Sequence, residues 1–162
     1  MNKIILDKCE VSDVSPCYVI AEIGHNHQGN IESCKKLFLE AKLSGANAVK
    51  LQKRNNKKLY TEKFYNSLYD NPNSYGETYG LHREFLEFNK DQYIELKKYA
   101  KQIEITFFAT PFDFDSVEFL EEINLPFYKI ASADITNLPL IDYVASKKKT
   151  IIFCIGWCIE KN

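Results

Sequence analysis

Short apolar runs alternate along this chain with stretches whose apolar residues recur at helical spacing, and polar residues collect just after each run. A strand buried on both faces reads as a nearly continuous apolar run, and parallel strands need a crossover that is usually a helix. The alternation therefore predicts parallel strands joined by helices. Residues 17–23 read as the first strand, closed by Gly24. Asn30 caps a helix over 31–44, with Ile31, Cys34, Leu37, Phe38 and Ala41 on one face. Gly45 sits where a helix end favours a left-handed residue. Residues 46–52 read as the second strand.

A long polar and aromatic stretch follows, over about 53–88, with strong turn chemistry at Asn71-Pro72-Asn73-Ser74-Tyr75-Gly76. Structureless loops of that length are rare in compact domains, so it is expected to be functional or partly helical. Asn89 caps a helix running to Lys101, with Gln92 placed for a capping box. Residues 103–109 read as the third strand, and Asp113 starts a helix ending near Asn124. Residues 127–131 read as the fourth strand and 150–155 as the fifth. Between them, 138–147 form a short helix that takes Pro139 in its first turn.

Five such strands fit either an open doubly wound sheet or part of a (β/α)8 barrel. A complete barrel needs about 250 residues, and this sequence has 162. With 45% hydrophobic residues it holds enough apolar surface for one buried core. The net charge of -1 and the lack of a basic stripe argue against nucleic acid, Lys57-Lys58 and Lys147-Lys148-Lys149 reading as solvated charge. No apolar stretch approaches the roughly 18 residues that span a bilayer. Residues 1–10 alternate apolar and charged positions and lack the apolar core of a signal peptide, so a cytoplasmic location is expected. Cys9, Cys17, Cys34, Cys154 and Cys158 are expected to be free thiols; the Cys154/Cys158 pair lacks the partner pair of a structural zinc site.

The chemistry-bearing residues share a position. Glu22, His25, Asn26 and His27 end the first strand, and Lys50 and Gln52 lie at the end of the second. Thr110, Pro111 and Asp113 follow the third, while the fourth carries Lys129 and is followed by Ser132 and Asp134. Parallel α/β folds build their sites at these C-terminal strand ends. Lys50 and Lys129 each interrupt an apolar strand, and a buried ammonium is costly unless an anion pairs with it. A single such lysine reads as a chain snorkelling to the rim. Two at equivalent positions point to cations converging on a phosphate and a carboxylate. Glu22 alone reads as a partner for one of them. His25 and His27, with no third ligand nearby, read as hydrogen-bonding loop residues ahead of a metal pair. Ser132 and Asp134 fit a helix-start turn equally well, and His82, Arg83 and Glu84 read as a solvated helix face.

Taken together, these motifs resemble a known family. Ala21-Glu22-Ile23-Gly24-His25-Asn26-His27 resembles the first-strand signature of the N-acetylneuraminate (sialic acid) synthase family, which includes the legionaminate and pseudaminate synthases. Lys50-Leu51-Gln52, Thr110-Pro111-Phe112-Asp113 and Lys129-Ile130-Ala131-Ser132-Ala133-Asp134 resemble its next three strand motifs, and 69–88 its excursion after the second strand. The resemblance implies an α/β fold, an incomplete TIM (β/α)8 barrel of about five parallel strands, with residues 1–162 forming the N-terminal part of the barrel. Relatives continue through three more strands that supply two metal-binding histidines. They also carry an antifreeze-like domain that reaches a partner subunit's site in a homodimer. Both are expected to be absent here.

The implied activity is a transferase of carbohydrate biosynthesis that condenses phosphoenolpyruvate with an N-acylated amino sugar of the N-acetylmannosamine type to a nonulosonic acid. C3 of phosphoenolpyruvate attacks the aldehyde of the open-chain sugar, a divalent cation (manganese or magnesium) polarises that carbonyl, water adds at C2, and phosphate leaves. Carried over by position, Lys50, Thr110, Lys129 and Ser132 would hold phosphoenolpyruvate, and Glu22 and Gln52 would face the sugar. Glu22 and Asp134 would be catalytic, Asp134 standing where many relatives carry Glu, with one methylene less reach. The family's fifth strand typically ends in a Ser-Thr-Gly-Met-like stretch, here Cys154-Ile155-Gly156-Trp157. No metal ligand is expected in this chain. The alternative expectation is a truncated, non-catalytic product retaining at most phosphate or phosphoenolpyruvate binding, or a partner-interaction role.

Overall fold

A computed structural model describes residues 3–156. It opens with a hairpin, β1 (Lys3–Leu6) and β2 (Cys9–Ser12), paired antiparallel from Lys3↔Ser12 to Leu6↔Cys9. Asp7 turns it at φ 57°, a left-handed conformation that Asp tolerates better than most residues. The sequence reading passed over this hairpin: its strands are four residues each, and Ile4 and Ile5 are exposed. Only Leu6 is buried in it.

Then come β3 (Ile20–Gly24), α1 (Ile31–Leu43), β4 (Ala48–Lys53), three short helices α2 (Asn56–Leu59), α3 (Glu62–Tyr65) and α4 (Tyr79–Phe85), and α5 (Lys90–Gln102). The chain continues through β5 (Thr106–Pro111), α6 (Phe114–Ile123), β6 (Tyr128–Ile130), α7 (Leu138–Ser146) and β7 (Ile151–Phe153). The caps fall where the sequence put them. Asn30 accepts from the Ser33 N–H, Asn89 and Gln92 form a reciprocal capping box, and Asp113 accepts from the Ser116 N–H. Gly45 takes φ 87° after α1, and Asn124 takes φ 54° after α6. The third strand starts at Thr106, later than expected, because Ile103 ends α5 and Glu104 turns left-handed at φ 56° before the sheet resumes.

The five parallel strands lie in the order β3-β4-β5-β6-β7, each beside its successor in sequence. A doubly wound sheet reverses its strand order at a switch point. This one does not, and α1, α5, α6 and α7 all pack on one face. The architecture is therefore part of a (β/α) barrel, unclosed, as the motifs implied.

Strand alternation divides the residues between two faces. Val49, Leu51, Phe107, Ala109, Tyr128 and Ile130 face the helices, where they meet Phe38, Leu96, Val117, Leu120 and Val144. Each fully buried aliphatic there contributes about 1.5–3 kcal/mol. On the opposite face, Leu6 from the hairpin closes over Ala48, Phe108 and Phe127 at the N-terminal end of the strands. That small apolar floor supports the polar residues farther along.

The excursion between β4 and α5 is partly helical, as its length suggested. Tyr60, Phe64, Tyr69 and Tyr79 stack edge-on or tilted around one another, with ring centroids 4.6–5.5 Å apart. Gly80 lies against the Tyr65 ring, which a Cβ there would meet at 2.4 Å. His82 is only 9% exposed and its Nδ1 accepts from the Tyr75 N–H at 3.2 Å, while Arg83 is half-buried. The expectation of a solvated face at 82–84 holds for Glu84 alone, because the aromatic neighbours fold over the other two.

Candidate active site

The open face of the sheet, beyond its apolar floor, gathers the residues singled out at strand ends. In register, Glu22 pairs with Lys50 across β3 and β4, and Gln52 with Thr110 across β4 and β5. The register slips between Glu22 and Gly24, a bulge at the end of β3 that Gly24 accommodates at φ 54°. A Cβ on Gly24 would stand 3.4 Å from Glu22 Oε1.

Lys50 is 6% exposed, so it does not snorkel to the rim. Its Nζ lies 2.6 Å from Glu22 Oε2 and donates to Thr110 Oγ1 at 2.9 Å. Burial, the largest influence, pulls the ammonium's pKa down, and Glu22 opposes the fall. Lys129 and Arg54 add to the fall by charge repulsion. Lys129 donates to the Ile130 carbonyl at 2.9 Å and has no carboxylate partner among the described residues.

Ser132 and Asp134 lie in a 3-10 turn, Ser132–Asp134, directly after β6. Asp134 Oδ2 is out of solvent contact without a hydrogen-bond partner. Burial raises this carboxyl's pKa, against a hydrogen bond from Asn137 and the Arg54 charge. Cys154 joins the cluster from the end of β7. The Gly156 N–H first, the Lys129 charge second and Ser132 further down draw its thiol pKa below the ordinary value. Trp157 and Cys158 lie outside the described residues.

Arg54 was missed in the sequence reading. It is 8% exposed, donates from Nη2 to Gln52 Oε1 at 2.7 Å and lies over the Phe112 ring at 3.8 Å. The available signal was alternation: 50, 52 and 54 share a face, and all three are polar or charged. Beside it, Glu87 from the excursion binds Lys53 at 2.8 Å and approaches His25 Nε2 at 3.7 Å. Burial works against the Glu87 charge, but His25 and Lys53 outweigh it and hold the carboxylate's pKa low. A cavity of about 230 Å³ next to these residues is lined by both signs of charge, including Lys53, Arg54, Glu84 and Asp115.

His27 is 2% exposed, stacks on Phe88 at 4.1 Å and accepts from the Gly29 N–H at Nδ1. Burial lowers its pKa to about 4, with the His25 charge adding. His27 thus holds the loop, while His25 Nε2 faces Glu87 without a hydrogen bond, and among the described residues no group of three or more His, Cys, Asp or Glu is placed to hold a metal. Nor is any described helix long and apolar enough to cross a membrane.

A model of the NeuB family matches residues 37–162. N-acetylneuraminate-9-phosphate synthase of Mus musculus is 42% identical over 141 residues, covering 87% of this chain and 39% of the relative. The protein of that name from Drosophila melanogaster is 40% identical over 156 residues, covering 96% and 41%. The chain thus spans about two fifths of the length of these curated relatives. Among solved structures, the N-acetylneuraminic acid (sialic acid) synthetase of Leptospira borgpetersenii serovar Hardjo-bovis, in complex with citrate, superposes with a TM-score of 0.80 at 29% identity, over 98% of this chain and 51% of that one.

Proposed function

The chain belongs to the NeuB family, and from that premise we propose that its open face is the phosphoenolpyruvate-binding part of a nonulosonic acid synthase. The reaction joins phosphoenolpyruvate to an N-acylated amino sugar. One observation carries this reading: two strand lysines converge on one face, and Lys129 has no anion of its own among the described residues. Thr110 orients the Lys50 ammonium, and Ser132 follows Lys129 at the strand end. Together they suit a small ligand bearing a phosphate and a carboxylate.

In this reading the catalytic roles are those that the resemblance carries over. Glu22 lies in register with Lys50 and Gln52 with Thr110, and both would face the sugar. As C3 of phosphoenolpyruvate bonds to the aldehyde carbon, the carbonyl electrons move to its oxygen. Asp134, whose carboxyl pKa burial raises, supplies the proton. Water then adds at C2 and loses a proton to Glu22, whose carboxylate is half-exposed; the tetrahedral intermediate collapses to the C2 ketone as the C2–O bond to phosphate breaks and the departing phosphate takes the hydroxyl proton. A divalent cation, which the resemblance implies, finds no donor set among the described residues. The mouse and fly relatives are named for a 9-phosphate product and the Leptospira protein for sialic acid itself, so both free and phosphorylated amino sugars belong to the class.

The test is release of inorganic phosphate from phosphoenolpyruvate by the full-length protein, with and without N-acetylmannosamine or its 6-phosphate. Sugar-dependent release that Lys129→Ala abolishes is the expected result. Phosphate release that ignores the sugar, or none at high protein concentration with manganese supplied, would sink the reading.

A further inference from the structure

Glu87 is a buried carboxylate that the proposed chemistry does not use. It lies between α4 and α5, at the end of the excursion, and its side chain is 8% exposed. Burial opposes its charge, and buried charges are ordinarily paired. Its partners come from other segments. Oε2 takes Lys53 Nζ at 2.8 Å and the Arg54 N–H at 3.4 Å, at the end of β4 and 34 and 33 residues back along the chain. Oε1 faces His25 Nε2, in the loop after β3, at 3.7 Å.

Neighbouring contacts gather at the same point. Lys53 Nζ also donates to the Phe88 carbonyl at 3.1 Å, and His27 stacks on the Phe88 ring at 4.1 Å. The ends of β3, β4 and the excursion therefore meet at Glu87 and Phe88. Gln52 immediately precedes Lys53, and Glu22 and the bulged Gly24 stand just before His25. Glu87 thus ties down the two strand ends whose side chains, Glu22 and Gln52, would face the sugar. Lys50 is held instead by Glu22 and Thr110, and Lys129 by the Ile130 carbonyl.

We propose that Glu87 is a positioning residue: by bridging the ends of β3 and β4 it sets how Glu22 and Gln52 stand to one another, and so the affinity for the amino sugar, while phosphoenolpyruvate binding does not depend on it. The proposal rests on the reading of the open face as a site for both substrates. A charge-assisted contact is short and directional, which suits it to fixing one segment against another. A misplacement of about 1 Å, transmitted from away from the chemistry, can cost on the order of 10²-fold in rate.

The test compares the full-length protein with its Glu87→Gln variant, by phosphate release against N-acetylmannosamine or its 6-phosphate and by calorimetric titration of each substrate. In Glu87→Gln the KM and Kd of the sugar should rise at least about tenfold, while the Kd of phosphoenolpyruvate changes less than about twofold. Equal weakening of both substrates, or an unchanged sugar affinity, overturns the proposal. Glu84→Gln removes a carboxylate that lines the same cavity but meets only the Tyr65 hydroxyl among the described residues. It should leave the sugar affinity alone; an effect as large as that of Glu87→Gln would assign the change to net charge and overturn positioning. Because Glu87→Gln strands the Lys53 ammonium, Lys53→Met is combined with it to remove both charges. Sugar affinity should stay weak in that double variant, which carries the test if the single one does not fold; a recovered affinity would make Glu87 a stability residue alone. Sugar binding that depends on Glu87 without phosphate release in the wild type upholds the positioning role and removes the synthase reading. Phosphate release with a sugar affinity indifferent to Glu87 does the reverse, and a wild type that binds no sugar removes both.

Discussion

The two faces of the same five strands differ in what their side chains face. On the helix-covered face Val49, Leu51, Phe107, Ala109 and Ile130 are buried against apolar neighbours, and nothing there titrates near neutrality. One residue along, on the other face, Lys50, Gln52, Thr110 and Lys129 crowd charges and hydroxyls over an apolar floor of Ala48, Phe108 and Phe127. Stability and chemistry are thus separated by the period-2 alternation of a strand. A substitution on one face should disturb stability, and its immediate neighbour on the other should disturb binding.

The largest effect expected is on the covered face. Phe107→Ala should cost about 3–5 kcal/mol of unfolding free energy, read from urea denaturation. A loss under about 1 kcal/mol would mean that the helices do not pack there as described. Next, Lys129→Ala on the open face should weaken phosphoenolpyruvate by about 2–3 kcal/mol in calorimetry while the urea midpoint hardly moves. A large stability loss in that variant would erase the division between the faces.

His27 tests the loop that frames the open face. Its folded pKa of about 4 lies below the ordinary histidine value of 6.5, so the unfolded chain binds the proton more readily. Stability is fully present above pH 6.5 and is lost progressively as pH falls toward 4, by on the order of 1–3 kcal/mol. His27→Gln should flatten that part of the urea-midpoint profile. An unchanged slope would assign the loss to other groups. The smallest effect belongs to the bulge: Gly24→Ala forces a Cβ into φ 54°, for about 1–2 kcal/mol. A neutral result would show that β3 relaxes at no cost.

Strands, caps and the polar strand ends were legible because each follows from local pattern. Asn89 with Gln92, Asp113 and Gly45 behave as their side chains dictate. The hairpin at Lys3–Ser12 was not legible, since its burial comes from a tertiary contact of Leu6 with Phe108 and Phe127 that no local periodicity records. Lys50 and Lys129 were recognisable as cations out of place. Arg54 was passed over because it follows the end of the apolar run; it continues the alternation of 50 and 52, but only folding places it over Phe112 and against Gln52. His82 was misjudged for the same reason: its burial is supplied by Tyr69 and Tyr75, distant in register from its own helix.

The most direct test of the central claim is titration of phosphoenolpyruvate into the full-length protein, in parallel with Lys129→Ala and Phe107→Ala. Saturable binding that Lys129→Ala weakens at least tenfold, and that Phe107→Ala retains while its melting temperature drops, is the predicted result. Binding that survives Lys129→Ala intact would place the ligand away from the open face and contradict the account.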